Sequence, residues 1–474
     1  MADNAYSVQI VTIYATHWRY SGKSVPDASA DLDLGERLLD FYKLFSDQLP
    51  HVINHRRRLP AQSIRFVLPD GTDRHIDGMT SAEILIFALP FPADQVVASL
   101  RVEIDSPDIN EDSSLVTDVL ELCANTRFTI EGANLATYID KLVPERVRPD
   151  TVVKHDIATD GQLPLERHQL VLIGDLGGAA PPEAHVVTQI LYQINPPYRS
   201  EFTVLKRPDG LNREERAYCA VSPAISFLYG HPDDVENSVF LTAVQAIGTA
   251  SRFQQIWQDA YQRVRDFQVH KQAKETGKQQ RKDLEVLADE MGNLELDLAF
   301  SVETAADLGL RIPSSRIEDF HEDLYEVMQI RTRAHSVSQM FVRLGGSIRS
   351  ELTAIESRER QEEEERRLRG AVAFGALSFV IAPISFIIGF FGINTSQIHG
   401  TSSMWNWRYY HWAYIAAIVL ALIPIVVFIG LYGKTLLHKQ RERRAAKKQE
   451  KKEQEKKEQD MTEQDMTAPQ AAVA

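Results

Sequence analysis

Ala371–Asn394, AVAFGALSFVIAPISFIIGFFGIN, is the stretch on which the reading of the whole chain turns. From Ala371 to Phe391 it carries no charged residue, matching the roughly 20 apolar residues that a helix needs to cross a bilayer. Its residues also sort by size. Ala371, Gly375, Ser378, Ala382, Ser385, Gly389 and Gly392 recur at alternating steps of four and three, so they share one helical face. Phe374, Phe379, Ile381, Phe386, Ile388 and Phe390 project elsewhere. A small, weakly polar stripe on a membrane helix has two physical uses. Small residues let helix backbones approach where lipid gives no hydrophobic drive, or they line an ion pathway that bulky side chains would block. Spacing alone leaves both open.

The end of the stretch adds a signature. Phe391-Gly392-Ile393-Asn394 closes the apolar run with a glycine and an amide. It resembles the Tyr-Gly-Met-Asn that ends the first transmembrane helix of the CorA family of divalent-cation transporters. Pro383-Ile384-Ser385-Phe386-Ile387 and then Gly389 resemble that family's Pro-Leu-Thr-Phe-Ile and Gly at the same offsets from the asparagine. The departure is Ile393, which stands where the family has methionine.

The resemblance implies an α+β cytoplasmic domain, a long helical stalk and two C-terminal transmembrane helices, together a funnel. It also implies a homopentamer whose first spans surround the pore. On that likeness Gly392, Ile393 and Asn394 form the pore entrance. The Asn394 amide oxygen contacts a hydrated ion, and Gly392 permits a tight backbone turn. Ser385 makes a polar ring deeper in, with Gly389, Ala382, Ser378 and Ala371 along the same wall. Mg²⁺ gives up its water reluctantly, so neutral oxygens around an intact hydration shell suit it. Zn²⁺, Co²⁺ and Ni²⁺ are the other cargoes in view. The family's magnesium-carrying members place a glutamate shortly after the asparagine, whereas this loop offers Thr395, Ser396, Gln397 and His399. The zinc-carrying branch lacks that acid too, and imidazole is a borderline ligand suited to zinc, which makes His399 a candidate metal contact.

Composition agrees with a mostly soluble chain carrying a small membrane part. Mean hydropathy is negative, and 474 residues give room for two or three domains. Two cysteines, Cys123 and Cys219, argue against a disulfide framework and fit a reducing compartment. Met1–Gln9 has no basic start and no apolar core, so no secretory signal is expected there. A net charge of −14 counts against nucleic acid as a partner.

Taken in order, residues 1–230 read as a cytoplasmic α/β domain. Strands are expected at Ser7–Tyr14, Glu83–Ala88, Val96–Ile104, His168–Ile173 and Ala217–Leu228. Ile64–Leu68 and Arg74–Ile76 flank Pro69-Asp70-Gly71-Thr72 as a hairpin. Helices are expected at Glu111–Asn125, capped from Asp112-Ser113, and at Pro182–Gln193. Residues 231–370 read as a helical stalk with helices at Asp233–Lys274 and Gln279–Leu308. A third helix starts at Ser315 with Glu318 as capping-box partner. Its apolar positions, Ile317, Phe320, Leu324, Val327, Ala334, Val337 and onward to Ile355, keep three/four spacing. Nothing in the sequence stops it before the membrane, so a single helix of about 80 residues, roughly 120 Å, is expected. Gly345-Gly346 is its weak point, either a packing accommodation or a hinge. The run Arg358–Arg369 is either a solvated face or, in a ring of copies, a cation-concentrating mouth.

Residues 371–394 form the first span, 395–411 an external loop, 412–433 the second span and 434–474 a basic tail. Trp405, Trp407, Tyr409, Tyr410, Trp412 and Tyr414 read as an interfacial belt. Basic residues flank both spans on one side against Arg408 alone in the loop, which puts both termini in the cytoplasm of a cell-membrane protein. Gly174-Asp175-Leu176-Gly177-Gly178 lacks the spacing of a phosphate loop, and His51 with His55 lacks a third ligand. With no nucleophile elbow and no zinc-protease motif, no enzyme and no cofactor are expected. The expected partners are copies of the chain, the bilayer and divalent metal ions. The competing reading is a membrane-anchored scaffold or sensor with little conduction, which Ile393 and the neutral loop allow.

Overall fold

A computed structural model describes residues 6–21, 52–67, 72–147 (apart from 77, 90–92, 107, 108 and 111), 151–155, 162–174 and 182–193. It further describes 205–272 (apart from 215), 277–311, 315–393 and scattered positions of 407–422. Contacts divide the chain into two compact units, Met1–Ala354 and Ile355–Ala474.

The first unit is built on a seven-stranded sheet in the order β12-β13-β11-β1-β7-β6-β3. Its strands are β1 (Tyr6–Ala15), β3 (Val52–Leu59), β6 (Met79–Leu89), β7 (Gln95–Ser106), β11 (Arg167–Ile173), β12 (Tyr218–Val221) and β13 (Ile225–Tyr229). Neighbours run antiparallel except β11 and β13, which are parallel. The central strand β1 sets Ile10 opposite Val171 on one side and Val102 on the other. Val8, Ile10, Val11 and Ile13 are all fully buried, because both faces of the sheet are covered.

One face packs on α1 (Ser114–Ala124), α2 (Leu135–Arg146) and α3 (Ala184–Tyr192), forming a core of Ile10, Tyr14, Ile86, Val102, Val119, Leu120, Ile139 and Ile190 among others. Asp112 Oδ1 accepts from the N–H of Ser114 at the start of α1, and Asn134 Oδ1 accepts from Thr137 N–H at the start of α2. Smaller pairings flank the main sheet. β4 (Ile64–Val67) pairs with β5 (Asp73–Arg74), as the hairpin reading requires, and with β8 (Phe128–Ile130), which leads to β9 (Ala133–Asn134). β2 (Trp18–Tyr20) pairs with β10 (Val152–Lys154).

The other face is covered by α4 (Asp233–Gln272), whose first turn carries Asp233, Asp234 and Glu236 against the positive end of the helix dipole. Phe240 meets Phe87 edge-on with centroids 5.5 Å apart. A Cβ at Gly248 would stand 2.1 Å from Leu89 Cδ1, so a larger residue there would force the Leu89 side chain aside. Deeper along the contact, Gln95 exchanges hydrogen bonds with Gln255 at 2.7 and 2.9 Å, satisfying two buried amides at once. After α4 come α5 (Gly277–Arg311), α6 (Ser315–Val327) and α7 (Ile330–Ile393).

Two expectations need correction, and two elements lie where none is expected. The run Ala217–Leu228 is two strands, because Ser222 Oγ closes a tight turn by donating to Ile225 O and accepting from Ile225 N–H. Val52–Leu59 is an edge strand although it contains His55 and three arginines. Its charge is absorbed by Glu83, which pairs with Arg56 at 2.6 Å, and by Glu131, which pairs with Arg57. Leu135–Arg146 is a helix despite Pro144, which sits in its last turn. Finally, the continuous helix expected from Ser315 is two helices. Gln329 takes a left-handed φ of 56°, and Met328–Gln329 separates α6 from α7. Gly345 and Gly346, the expected weak point, lie inside unbroken helix.

Candidate functional site

The candidate site is the C-terminal part of α7. The helix runs without interruption through the apolar stretch and ends at Ile393, so Gly392 and Ile393 are its last two residues. Asn394 and His399 lie outside the described residues, as do the side chains of Ala382 and Ile393 and the surroundings of Gly392. Ala371, Ser378 and Ser385 are exposed, and they fall at seven-residue steps on one face. Ser378 Oγ donates to Phe374 O at 2.9 Å, the back-bonding that satisfies a helical hydroxyl internally. Among the described residues nothing stands within 4 Å of the Cβ positions of Gly375 or Gly389. The large side chains described there are open as well, with Phe374 74% and Ile388 67% exposed. Within this single chain the small stripe therefore faces no partner among the described residues. Among those residues no helix is long and apolar enough to cross a membrane; several side chains of 371–393 and most of 394–474 are not among them.

The charged run preceding the stretch is tied partly to itself. Arg360 pairs with Glu356 at 3.7 Å and Arg369 with Glu365 at 3.2 Å, both one turn apart. Glu362, Glu363 and Glu364 are exposed. Such pairs contribute only a few tenths of a kcal/mol each.

The acids of α6 are held by a neighbouring loop. Asp319 Oδ2 accepts from the Gly210 N–H at 2.8 Å, and Glu326 pairs with Lys206 at 2.8 Å, lifting that lysine above its usual range. Burial raises the Asp323 carboxyl, while Lys206 opposes the shift. These contacts dock the 3-10 turn Asp209–Leu211 on α6. No group of three or more histidine, cysteine or acidic side chains able to hold a metal occurs among the described residues.

Sequence reasoning missed one charged cluster within the sheet and helix contact. Arg101 lies 3.3 Å from Glu83 and over the Phe240 ring at 5.5 Å. Glu236, on the first turn of α4, is pushed up to about 7 by burial, with Arg101 pulling it back down. The one signal available was an acid, Glu83, at the head of the apolar run of β6. The two cysteines are buried as expected, and burial pushes the Cys123 thiol up to about 12.

No family model and no curated protein matches the chain. Among solved structures it is similar to one described as the structure of the full-length CmaX protein, at 16% identity and a TM-score of 0.26, covering 59% of this chain and 92% of that one. A likeness that slight carries no argument about activity. The described residues form a mixed α+β unit followed by long helices, the last ending on the glycine–isoleucine pair that precedes Asn394.

Proposed function

We propose that the chain is a divalent metal cation channel or transporter, conducting Mg²⁺ or a transition metal such as Zn²⁺, Co²⁺ or Ni²⁺ through a homopentameric pore lined by Ala371–Asn394. The observation that carries this reading is the Pro383–Asn394 segment, with its resemblance to the CorA signature, at the end of one long helix. The openness of the small stripe supports it further, since a pore wall is completed by other copies and not by its own chain. In this reading Asn394 and Gly392 form the outer entrance. Ser385, Ala382, Ser378 and Ala371 continue the wall, and His399 is an accessory ligand in the outer loop. Both termini are cytoplasmic. The driving force is the membrane potential, worth about 2.3 kcal/mol per charge at 100 mV and twice that for a divalent ion.

The test is uptake of Mg²⁺, Zn²⁺, Co²⁺ and Ni²⁺ into liposomes holding the purified protein under an inside-negative potential. Uptake is expected to vanish in Asn394→Ala while the oligomer persists, and the ion ranking names the cargo. Ile393 and the absence of an acid in residues 395–408 favour one second reading, a membrane-anchored scaffold or sensor of the same fold. Absence of any flux from well-assembled wild-type protein would establish that reading instead.

A further inference from the structure

Within the first unit, α5 and the start of α7 each bury one stripe and leave the opposite stripe open. On α5 the buried stripe includes Leu284, Leu287, Met291 and Leu298, and on α7 it includes Val337, Phe341 and Ile348. The open stripe of α5 carries Asp289, Gly292 and Leu296, and that of α7 carries Val342, Gly346 and Arg349. Leu296 is 54% and Val342 67% exposed. Among the described residues nothing stands within 4 Å of a Cβ placed at Gly292 or Gly346.

The two faces carry opposite charge. From Ile330 to Ala354 the exposed surface of α7 holds Arg331, Arg333, Arg343 and Arg349 and no exposed acid. Arg333 pairs with Glu166, whereas Arg343 and Arg349 pair with no acid among the described residues. On α5, Glu285 is taken by Arg281, Glu290 by Arg263 and Asp297 by Arg252. Asp289 and Glu295 are exposed and pair with no base among the described residues.

Their spacing is complementary as well. In rising order Asp289, Gly292 and Leu296 follow steps of three and four, and in falling order Arg349, Gly346 and Val342 follow the same steps. Such steps are those of a coiled-coil seam. Laid antiparallel, the stripes set acid against arginine, glycine against glycine and leucine against valine over about 10 Å of helix. A parallel alignment mismatches both the steps and the charges. We infer that the α5 face of one copy docks antiparallel on the α7 face of a second copy through Asp289–Arg349, Gly292–Gly346 and Leu296–Val342. The glycine pair lets the backbones approach closely, the apolar pair excludes water, and the charge pair fixes direction. Because the two faces differ, the contact is heterologous, and each copy keeps one free face of each kind for the next neighbour around a ring. This inference rests on the assembly of copies proposed above and names the surface that joins them; it does not depend on conduction.

The experiment is disulfide trapping in full-length, detergent-solubilised protein, whose native Cys123 and Cys219 are buried. Two differently tagged chains are co-expressed, one with Val342→Cys and the other with Leu296→Cys. Oxidation is expected to join the two tags, and a chain carrying both changes is expected to give a ladder of multimers. Either change alone is expected to give no trapping, since neither residue meets its own counterpart. Arg349→Asp should lower the trapped fraction about tenfold by setting like charges together, and adding Asp289→Arg should restore it. The inference is overturned if the two tags fail to join in protein of wild-type circular dichroism. Equal trapping by the single changes overturns it too, as does a charge swap that fails to rescue. Trapping in protein that passes no ions upholds this contact and counts against the pore reading alone; flux without trapping sinks the contact and spares the pore.

Discussion

Helices α4 and α7 contain similar apolar side chains and treat them in opposite ways. Between Val239 and Ala250 almost every residue of α4 is buried, including Thr242, Gln245 and Thr249. Between Ala371 and Ile388 of α7, Phe374, Leu377, Ile381 and Ile388 are all more than half exposed. Composition does not separate the two. What separates them is whether the chain itself supplies the surface to be covered. The sheet face of Leu85, Phe87 and Leu89 waits for α4, whereas nothing among the described residues waits for the end of α7. An apolar helix left uncovered by its own chain calls for lipid or other copies as the covering medium, and the proposed function supplies both.

The contrast can be broken most sharply by paired truncations. Phe240→Ala removes a fully buried ring and is expected to cost about 3–5 kcal/mol in denaturant unfolding of the detergent-solubilised protein. Phe374→Ala in the same assay should stay within about 0.5 kcal/mol of wild type. A loss at Phe374 approaching that at Phe240 would mean that protein, not solvent or lipid, covers it.

Protonation sharpens the comparison at the start of α4. The Glu236 carboxyl stands at about 7 in the folded protein against 4.5 for an unperturbed glutamate, so the folded state holds a proton that the unfolded state releases. Stability attributable to this group is complete below about pH 4.5 and is lost as pH rises through 7, by roughly 3 kcal/mol. His168, drawn to about 4 by burial, works in the opposite sense between pH 4 and 6.5. The wild-type curve minus that of Glu236→Gln isolates the glutamate. A difference flat from pH 4.5 to 7 would show that the carboxylate stays ionised beside Arg101.

A smaller effect comes from glycines. A Cβ at Gly210 would stand 2.5 Å from Arg316 Cα, a backbone atom that cannot swing aside. Gly210→Ala should therefore cost about 1–3 kcal/mol. Gly375→Ala meets nothing within 4 Å among the described residues and is expected to gain up to about 1 kcal/mol of helix propensity. Thermal unfolding of the two variants side by side distinguishes them. A loss in Gly375→Ala would reveal a close helix neighbour, which favours the packing use of the stripe over the pathway use.

Where sequence reading succeeded and failed follows the same logic of covering surfaces. β1 was legible because a strand covered on both faces is apolar at nearly every position from Val8 to Ala15. The pairing of β4 with β5 was legible because Pro69-Asp70-Gly71 is a turn sequence set between two β-rich runs. β3 was not, since HRRRL presents a charge run and its neutralising acids, Glu83 and Glu131, lie 27 and 74 residues away. The break at Met328–Gln329 escaped for a different reason. Neither residue is a helix breaker, and no local pattern records the left-handed φ of Gln329. At the candidate site the stripe and the signature are readings of the sequence alone, with Asn394 and the side chains of Ala382 and Ile393 outside the described residues. The structure adds the continuity of the helix that carries them and the openness of its small-residue face.

The position of β1 in the sheet also fixes a schedule. It precedes every other described strand in the chain, yet its partners β7 and β11 come from Gln95–Ser106 and Arg167–Ile173. At 5–20 residues per second the ribosome needs roughly 8–30 s to pass from the end of β1 to the end of β11. Through that interval one of the most apolar strands in the molecule has at least one ladder edge open, and α4, which seals the second face, arrives later still. Half a minute of exposed strand is a long time for a growing chain. Folding of the first unit is thus governed by waiting, and its hazard is mispairing of β1 before its own neighbours exist.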